Sequence, residues 1–177
     1  YDIPVDHLYA KPVLLKAVRE MNIEKPVVVT PDVGGIKMAR AYAKALNADL
    51  AIVDKRRVSG SEIAVEHMIG DVDGRNVIIV DDMISTGGSI SEAAKVVRAH
   101  GARTIVLAVT HAVLCGPAVE RLENCPADHI LVTDTIPKRT KVPRQMQVVS
   151  VAPLLGRAIQ NLHASKSLSI LFEALDD

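Results

Sequence analysis

The fold is decided by the stretch Val77-Ile78-Ile79-Val80-Asp81-Asp82-Met83-Ile84-Ser85-Thr86-Gly87-Gly88-Ser89. Four apolar residues, 77–80, predict a strand that is buried on both faces. Two carboxylates, Asp81 and Asp82, follow at its carboxyl end, and a loop of small residues leads into a helical pattern over 90–100. This order is typical of an open α/β sheet, in which ligands bind beyond the carboxyl ends of the strands.

The small-residue loop has the chemistry of an anion site. Glycines let backbone N–H groups approach an anion closely, and the next helix turns its positive end toward the same place. Hydroxyl groups add further donors. The loop residues that we expect to bind phosphate are Ser85, Thr86, Gly87, Gly88 and Ser89. Asp81 and Asp82 repel phosphate but bind sugar hydroxyls or a divalent cation. The stretch therefore predicts a site for a phosphorylated sugar, against the alternative of a polar turn with two solvated aspartates.

A second stretch, Pro31-Asp32-Val33-Gly34-Gly35, repeats this pattern. It follows an apolar strand over Pro26–Thr30 and precedes a helix over 35–46, whose first N–H groups point at an anion site. We interpret Asp32, Val33, Gly34 and Gly35 as a diphosphate turn in which Asp32 holds a bridging cation. The alternative is an ordinary β-turn with a helix cap.

Three adjacent cations, Lys55-Arg56-Arg57, follow a strand predicted over 50–54. Taken alone they are typical of a solvated surface run. Here they leave the same edge of the sheet as both glycine turns, and a small polar stretch follows them. We expect them to close over a transferring phosphoryl group and to stabilise its charge.

The rest of the chain alternates strands and helices, which predicts a doubly wound, mainly parallel α/β sheet with helices on both faces. One hairpin is expected around Asp73-Gly74, joining strands over 64–70 and 76–80. We predict a single domain over 1–177, with a lead-in at 1–11 and a tail at 165–177. The other predicted strands cover 104–110, 130–132 and 148–151, and the other predicted helices cover 12–21, 116–123, 153–163 and 167–175.

Composition excludes several classes of protein. The 21 basic and 21 acidic residues of the 177 leave no net charge and form no polybasic tract for nucleic acid or membrane surfaces. Three Tyr, one Phe and no Trp leave no stacking platform for single strands. Cys115 and Cys125 have no companion pair, so we expect reduced thiols in a cytoplasmic protein. His111 ends a predicted strand at the site edge, and we interpret it as structural.

These stretches together resemble the ribose-phosphate diphosphokinase (PRPP synthase) family, which has the type I phosphoribosyltransferase fold. The loop over 85–89 resembles the family's PRPP loop, the turn over 29–35 its diphosphate loop, and Val53-Asp54-Lys55-Arg56-Arg57 the root of its flexible catalytic loop. The starting stretch over 2–9, the stretch over 133–137 and the ending over 167–172 also match. The resemblance therefore covers the whole chain in the right order.

The resemblance implies a reaction in which the diphosphoryl group of Mg-ATP passes to O1 of ribose 5-phosphate, giving PRPP and AMP. The loop over 85–89 would hold the 5-phosphate, and Asp81 and Asp82 the ribose hydroxyls, with or without a cation. Asp32 would bind Mg²⁺ beside the diphosphate, and Lys55 and Arg57 would stabilise the transferring group. Many family members have an aspartate where this chain has Ser85.

The resemblance also implies partners. The family assembles through dimers into hexamers, so a homo-oligomer is expected. A nucleotide regulatory site between subunits would use Asp6, His7, Ser167, Ser169 and Phe172. The family subunit has a further domain ahead of the part that matches Tyr1, so we expect this chain to be a carboxyl-terminal half that is inactive alone. The alternatives are a phosphoribosyltransferase and a non-catalytic, PRPP-synthase-associated regulator.

Overall fold

The computed structural model describes residues 2–56, 65–137 and 140–173. Within these residues seven strands form one sheet in the order β3-β2-β1-β4-β5-β6-β7. All neighbouring pairs are parallel except β2 and β3, which are antiparallel. The strands are β1 Pro26–Thr30, β2 Asp49–Arg56, β3 Val65–Ile69, β4 Asn76–Ile84, β5 Thr104–Ala112, β6 His129–Thr133 and β7 Met146–Val149. The predicted α/β class with a mainly parallel sheet is confirmed.

Helices connect the strands. They are α1 Lys11–Glu20, α2 Ile36–Leu46, α3 Gly88–Ala99, α4 Ala118–Glu123, α5 Ala152–His163 and α6 Ile170–Glu173, and a 3₁₀ turn over Val33–Gly35 precedes α2. Proline lies in the first turn of α1 and of α5, where its missing N–H costs no hydrogen bond. None of the helices in the described ranges has the length and apolar character needed to span a bilayer.

The central strands are buried on both faces, as their uninterrupted apolar runs predict. Val77 and Ile79 pack in a cluster with α3 and α4 residues, whereas Ile78 and Val80 pack in a second cluster with α1 and α2 residues. A third, smaller cluster joins α1, α5 and α6. Apart from the buried Tyr42, the buried residues of these clusters are not aromatic, which agrees with the scarcity of aromatic residues.

The predicted hairpin was wrong in its pairing. Gly74 does lie in a turn with φ +65°, but the strand before it, β3, pairs antiparallel with β2. The strand after it, β4, pairs with β1 and β5 instead. A turn dipeptide reports only a local reversal, and here the two flanking strands lie in different parts of the sheet.

Strand lengths also differ from those predicted. β4 runs to Ile84 rather than Val80, because β5 runs to Ala112 and pairs with it that far. β2 ends at Arg56 rather than Asp54, and the last strand covers Met146–Val149 rather than 148–151. In a sequence, charged residues suggest the end of a strand. A neighbouring strand can nevertheless continue to hydrogen-bond with the chain beyond those residues.

The chain reverses its direction of travel across the sheet between β1 and β4. After β1 it moves to β2 and β3 on one side, and after β4 it moves to β5, β6 and β7 on the other. β1 and β4 are direct neighbours, with Val29 opposite Ile79. Such a switch point opens a crevice at the carboxyl ends of the two strands. Both glycine turns singled out in the sequence lie there.

Candidate functional site

The loop after β4 is anchored by the segment that leads into α4. Leu114 N–H donates to the Ile84 carbonyl at 3.0 Å, and Cys115 N–H donates to the Ser85 carbonyl at 2.9 Å. The Ser85 hydroxyl also lies 3.2 Å from the Cys115 thiol. The start of the loop is therefore fixed to the segment between β5 and α4, so its backbone direction depends on residues outside the loop.

Gly87 gives the loop its turn. Its φ of +73° is left-handed, and a Cβ there would lie 3.5 Å from the backbone of Ala118. Arg121 of α4 donates from Nη1 to the Thr86 carbonyl at 3.1 Å. α3 begins at Gly88, so the loop delivers a helix N-terminus directly to the carboxyl end of β4. The arrangement is a compact turn that ends at a helix N-terminus, and binding of phosphate by it stays a prediction.

Asp81 and Asp82 lie within β4 rather than after it. Asp81 is half-buried and Asp82 is exposed, and the Asp82 N–H donates to Asp81 Oδ1 at 2.9 Å. Burial is the main cause that raises the pKa of Asp81 from its ordinary 3.8 to about 6, and the charges of Asp82 and Asp32 raise it further against that hydrogen bond. The site thus concentrates negative charge, which favours a cation or a hydroxyl donor beside Asp81.

The turn after β1 differs from the loop after β4. Asp32 caps it from within, since its Oδ1 accepts from Gly35 N–H at 3.0 Å. Thr30 donates its hydroxyl to the Asp32 carbonyl at 2.9 Å, and a Cβ on Gly35 would overlap the Thr30 Oγ1 atom. Glycine is therefore required at 35 by close approach. One N–H that the sequence assigned to diphosphate is occupied by the Asp32 carboxylate.

The cationic segment is only partly described. Lys55 lies in β2, opposite Glu66 of β3, but its side chain is outside the described part of the chain. Arg57 falls wholly outside the described residues. Their assignment to the transferring phosphoryl group stays a prediction.

The donor atoms at the switch point suit a hard divalent cation. They are carboxylate oxygens of Asp32, Asp81 and Asp82, which Mg²⁺ prefers. Within the described ranges no three His, Cys, Asp or Glu side chains form a complete metal cage. Mg²⁺ is ordinarily held by one or two carboxylates together with substrate phosphates and water, so the residues present fit that mode.

The residues of the predicted regulatory site come together only in part. The Tyr9 ring lies 4.7 Å from the His7 ring and 6.3 Å from the Phe172 ring, so the lead-in and the tail meet. Ser167 and Ser169 share a hydrogen bond of 2.8 Å. Asp6 is exposed. Binding of a nucleotide there stays a prediction.

His111 has a structural partner, which agrees with its interpretation. Its Nδ1 lies 2.8 Å from the Thr135 hydroxyl, and so β5 is tied to the segment after β6. Cys115 and Cys125 are both free thiols, as expected. Sequence reasoning missed Thr30, Cys115 and Arg121 as neighbours of the turns. The position of Thr30, a hydroxyl residue at the end of an apolar strand, could have indicated its role in the sequence. Nothing in the sequence around Arg121 indicated its role.

Comparison with known proteins gives a consistent result. A family model described as the phosphoribosyl synthetase-associated domain matches residues 62–173. The chain is 48% identical over 175 residues to the ribose-phosphate pyrophosphokinase of Gloeobacter violaceus, covering 97% of this chain and 52% of that relative. It thus spans about half the length of the curated relatives it matches.

Solved structures agree. A crystal structure of phosphoribosylpyrophosphate synthetase from Mycobacterium smegmatis matches with a TM-score of 0.84 at 37% identity, over 93% of this chain and 54% of that chain. A purine phosphoribosyltransferase from Pyrococcus horikoshii matches with a TM-score of 0.50 at 20% identity, over 78% of each chain. The second likeness shows the fold alone.

Proposed function

The chain belongs to the phosphoribosyl synthetase family, and we propose that it carries the ribose 5-phosphate and diphosphate half-site of a ribose-phosphate pyrophosphokinase. The reaction is the Mg²⁺-dependent transfer of the diphosphoryl group of ATP to O1 of ribose 5-phosphate, giving PRPP and AMP. The observation that carries the proposal is the pair of glycine turns at the ends of adjacent strands β1 and β4, at the switch point of the sheet.

Each part of the ribosyl phosphate would have a binding partner in this geometry. The 5-phosphate would bind the N–H groups and hydroxyls of residues 85–89, at the N-terminus of α3. Asp81 and Asp82, four and three residues before Ser85, would accept hydrogen bonds from the ribose hydroxyls. The turn over 32–35 would receive the diphosphate. Bound in this order along the crevice, the sugar would lie between the two turns.

The proposed catalysis is electrostatic. Phosphoryl transfer depends on positioning the two reactants and on neutralising charge at the transferring group. Lys55 and Arg57 would supply positive charge there. Mg²⁺ would supply a Lewis acid for the phosphate oxygens, and Asp32, with Asp81 and Asp82, would hold it. Asp32 would then exchange its present role as a cap of Gly35 for one as a ligand.

Synthesis is proposed for the full-length family protein, and ligand binding for this chain. Because the chain spans about half of its relatives' length, we expect it to bind ribose 5-phosphate and PRPP and to make little or no PRPP by itself. Formation of PRPP at a rate typical of a metabolic enzyme by the purified chain would contradict that expectation. Glycosidic exchange with a panel of bases would instead indicate a phosphoribosyltransferase.

Calorimetric titration of the chain with ribose 5-phosphate, PRPP and ATP, each with and without Mg²⁺, tests the proposal. We expect both ribosyl phosphates to bind, PRPP to bind more tightly with Mg²⁺, and ATP to bind weakly. Absence of binding by both ribosyl phosphates would refute the half-site.

A matched pair of glycine variants locates the binding. Gly87→Ala and Gly74→Ala both place a side chain at a left-handed φ, +73° and +65°. Only Gly87 lies in the phosphate loop. Gly74 lies in the turn before β4, at the amino end of the strand whose carboxyl end carries the loop. Gly87→Ala should weaken ribose 5-phosphate binding tenfold or more, on the order of 1–2 kcal/mol of backbone strain at the loop. Gly74→Ala should leave it unchanged, and equal effects would place the phosphate elsewhere.

A further inference from the structure

Three successive carbonyl groups of the phosphate loop are fixed toward one segment of the chain. Those of Ile84 and Ser85 accept backbone N–H groups of Leu114 and Cys115. The Thr86 carbonyl oxygen accepts a hydrogen bond from Arg121 Nη1 at 3.1 Å. The first two bonds are backbone to backbone and are independent of side-chain identity. The third depends on one side chain.

The direction of these carbonyls decides the direction of the amides. The described peptides are all trans, and in a planar trans peptide the C=O and the next N–H point in opposite directions. The N–H groups of Ser85, Thr86 and Gly87 therefore point away from the 114–121 segment. Within the described residues the Thr86 and Gly87 amides have no acceptor. The result is a row of N–H donors on the open side of the loop, which is the geometry of an anion nest.

We propose that Arg121 is a positioning residue for this nest: by holding the Thr86 carbonyl, its guanidinium aims the Gly87 N–H at the bound anion. The inference rests on the proposed function, since the anion it concerns is the 5-phosphate. The Thr86–Gly87 peptide has to be held in place, because glycine adopts other φ and ψ values at little cost and the peptide plane can then rotate. A rotated peptide would turn the Thr86 carbonyl toward the anion and replace an attraction by a repulsion.

Arg121 acts without contributing to the core. It is exposed, and it lines, with Thr86, Gly88 and Ser89, a cavity of about 650 Å³ between α3 and α4. Water in such a cavity can hydrogen-bond the Thr86 carbonyl once the guanidinium is removed. Loss of Arg121 therefore leaves no buried polar group unpaired, and the fold should persist while the peptide loses its fixed direction.

Three arginine variants test the role. Arg121→Met keeps an unbranched, flexible apolar stem and removes the donors, whereas Arg121→Lys keeps one donor nitrogen and the charge. Arg157→Met, on the exposed side of α5, is the matched control with no hydrogen bond to the loop. We expect Arg121→Met to weaken ribose 5-phosphate binding about tenfold, Arg121→Lys to restore most of the affinity, and the control to match the original chain.

Salt separates positioning from simple charge attraction. An exposed charge that acts at a distance is screened at high ionic strength, whereas peptide orientation is not. The affinity ratio between the original chain and Arg121→Met should persist at 0.5 M salt. Equal affinities at low salt, or a ratio that vanishes at high salt, would overturn the proposal.

A second readout needs no ligand. Backbone ¹H–¹⁵N relaxation of the free chain should show greater mobility of the Thr86 and Gly87 amides in Arg121→Met and not in Arg157→Met. If the original chain fails to bind ribose 5-phosphate, the proposed function fails. The relaxation data then decide the role of Arg121 alone, and unchanged amide mobility would overturn it.

Discussion

Replacing Asp81 by Asn should stabilise the fold at neutral pH and should leave it unchanged in acid. Asp81 is half-buried in β4, and burial is the first cause of its raised pKa of about 6. In the folded chain its charge is therefore unfavourable relative to the unfolded chain. Asparagine has the same shape, keeps an oxygen for the Asp82 N–H and carries no charge.

The size of the effect follows from the pKa. A rise from 3.8 to about 6 corresponds to at most about 3 kcal/mol. Solvent screens a half-buried group, so we expect about 1 kcal/mol. The direction of the pH dependence of stability follows from the number of protons that each state binds. Between about pH 4 and pH 6 the folded chain binds more protons than the unfolded chain, so the free energy of unfolding falls as pH rises through this window.

Urea unfolding of both proteins at several pH values between 4 and 8 measures this difference. The gain of Asp81→Asn should be near zero at pH 4 and should grow to about 1 kcal/mol above pH 7. Asp82→Asn removes one neighbouring charge, so it should lower the pKa of Asp81 and move this pH window downward. The shift should be small, because burial is the larger cause of the raised pKa. A gain that does not vary with pH, or a loss at pH 8, would refute the reasoning.

Two further predictions concern the framework of the site. Asp134→Ala removes the acceptor of the Val151 N–H at the start of α5 and should cost about 1 kcal/mol at pH 7 in urea unfolding. Hydrogen bonds hold the pKa of Asp134 below its usual range, so this contribution is present above about pH 4 and declines as pH falls below it; an equal deficit at pH 3 would contradict it. Arg98→Lys should lower thermal stability by about 1–2 kcal/mol, because one guanidinium donates to three backbone carbonyls and to Asp128, which an ammonium group cannot reproduce. An unchanged melting temperature would show that those bonds are replaced by water.

The central strands and the two turns could be predicted because their signals are local. Residues 77–80 are apolar without a break and mostly β-branched, which favours a strand buried on both faces. Gly87 takes the left-handed φ expected of a turn glycine. Helix α2 and helix α5 begin and end within one residue of their predicted limits, since their apolar periodicity and their flanking residues agree.

What the sequence could not predict depends on partners that are distant in the chain. The length of β4 is determined by β5, and the antiparallel partner of β3 is β2 rather than the strand beyond the Asp73-Gly74 turn. Arg121 shows the same limit at the site. It lies 35 residues from the carbonyl that it holds, and nothing in the local pattern of α4 separates it from an ordinary solvated arginine.

The two glycine turns show how far a shared pattern can differ in its folded state. Each follows a buried strand, and each combines acids with paired glycines. After β4 the acids precede the loop and Asp81 accepts the Asp82 N–H, while residues of the 114–121 segment donate to the loop carbonyls. After β1 the acid is adjacent, and Asp32 caps the Gly35 N–H itself. Within the described residues the loop after β4 therefore keeps N–H groups without an acceptor, whereas the turn after β1 already holds the Asp32 carboxylate. The difference comes from where the carboxylate stands relative to the glycines.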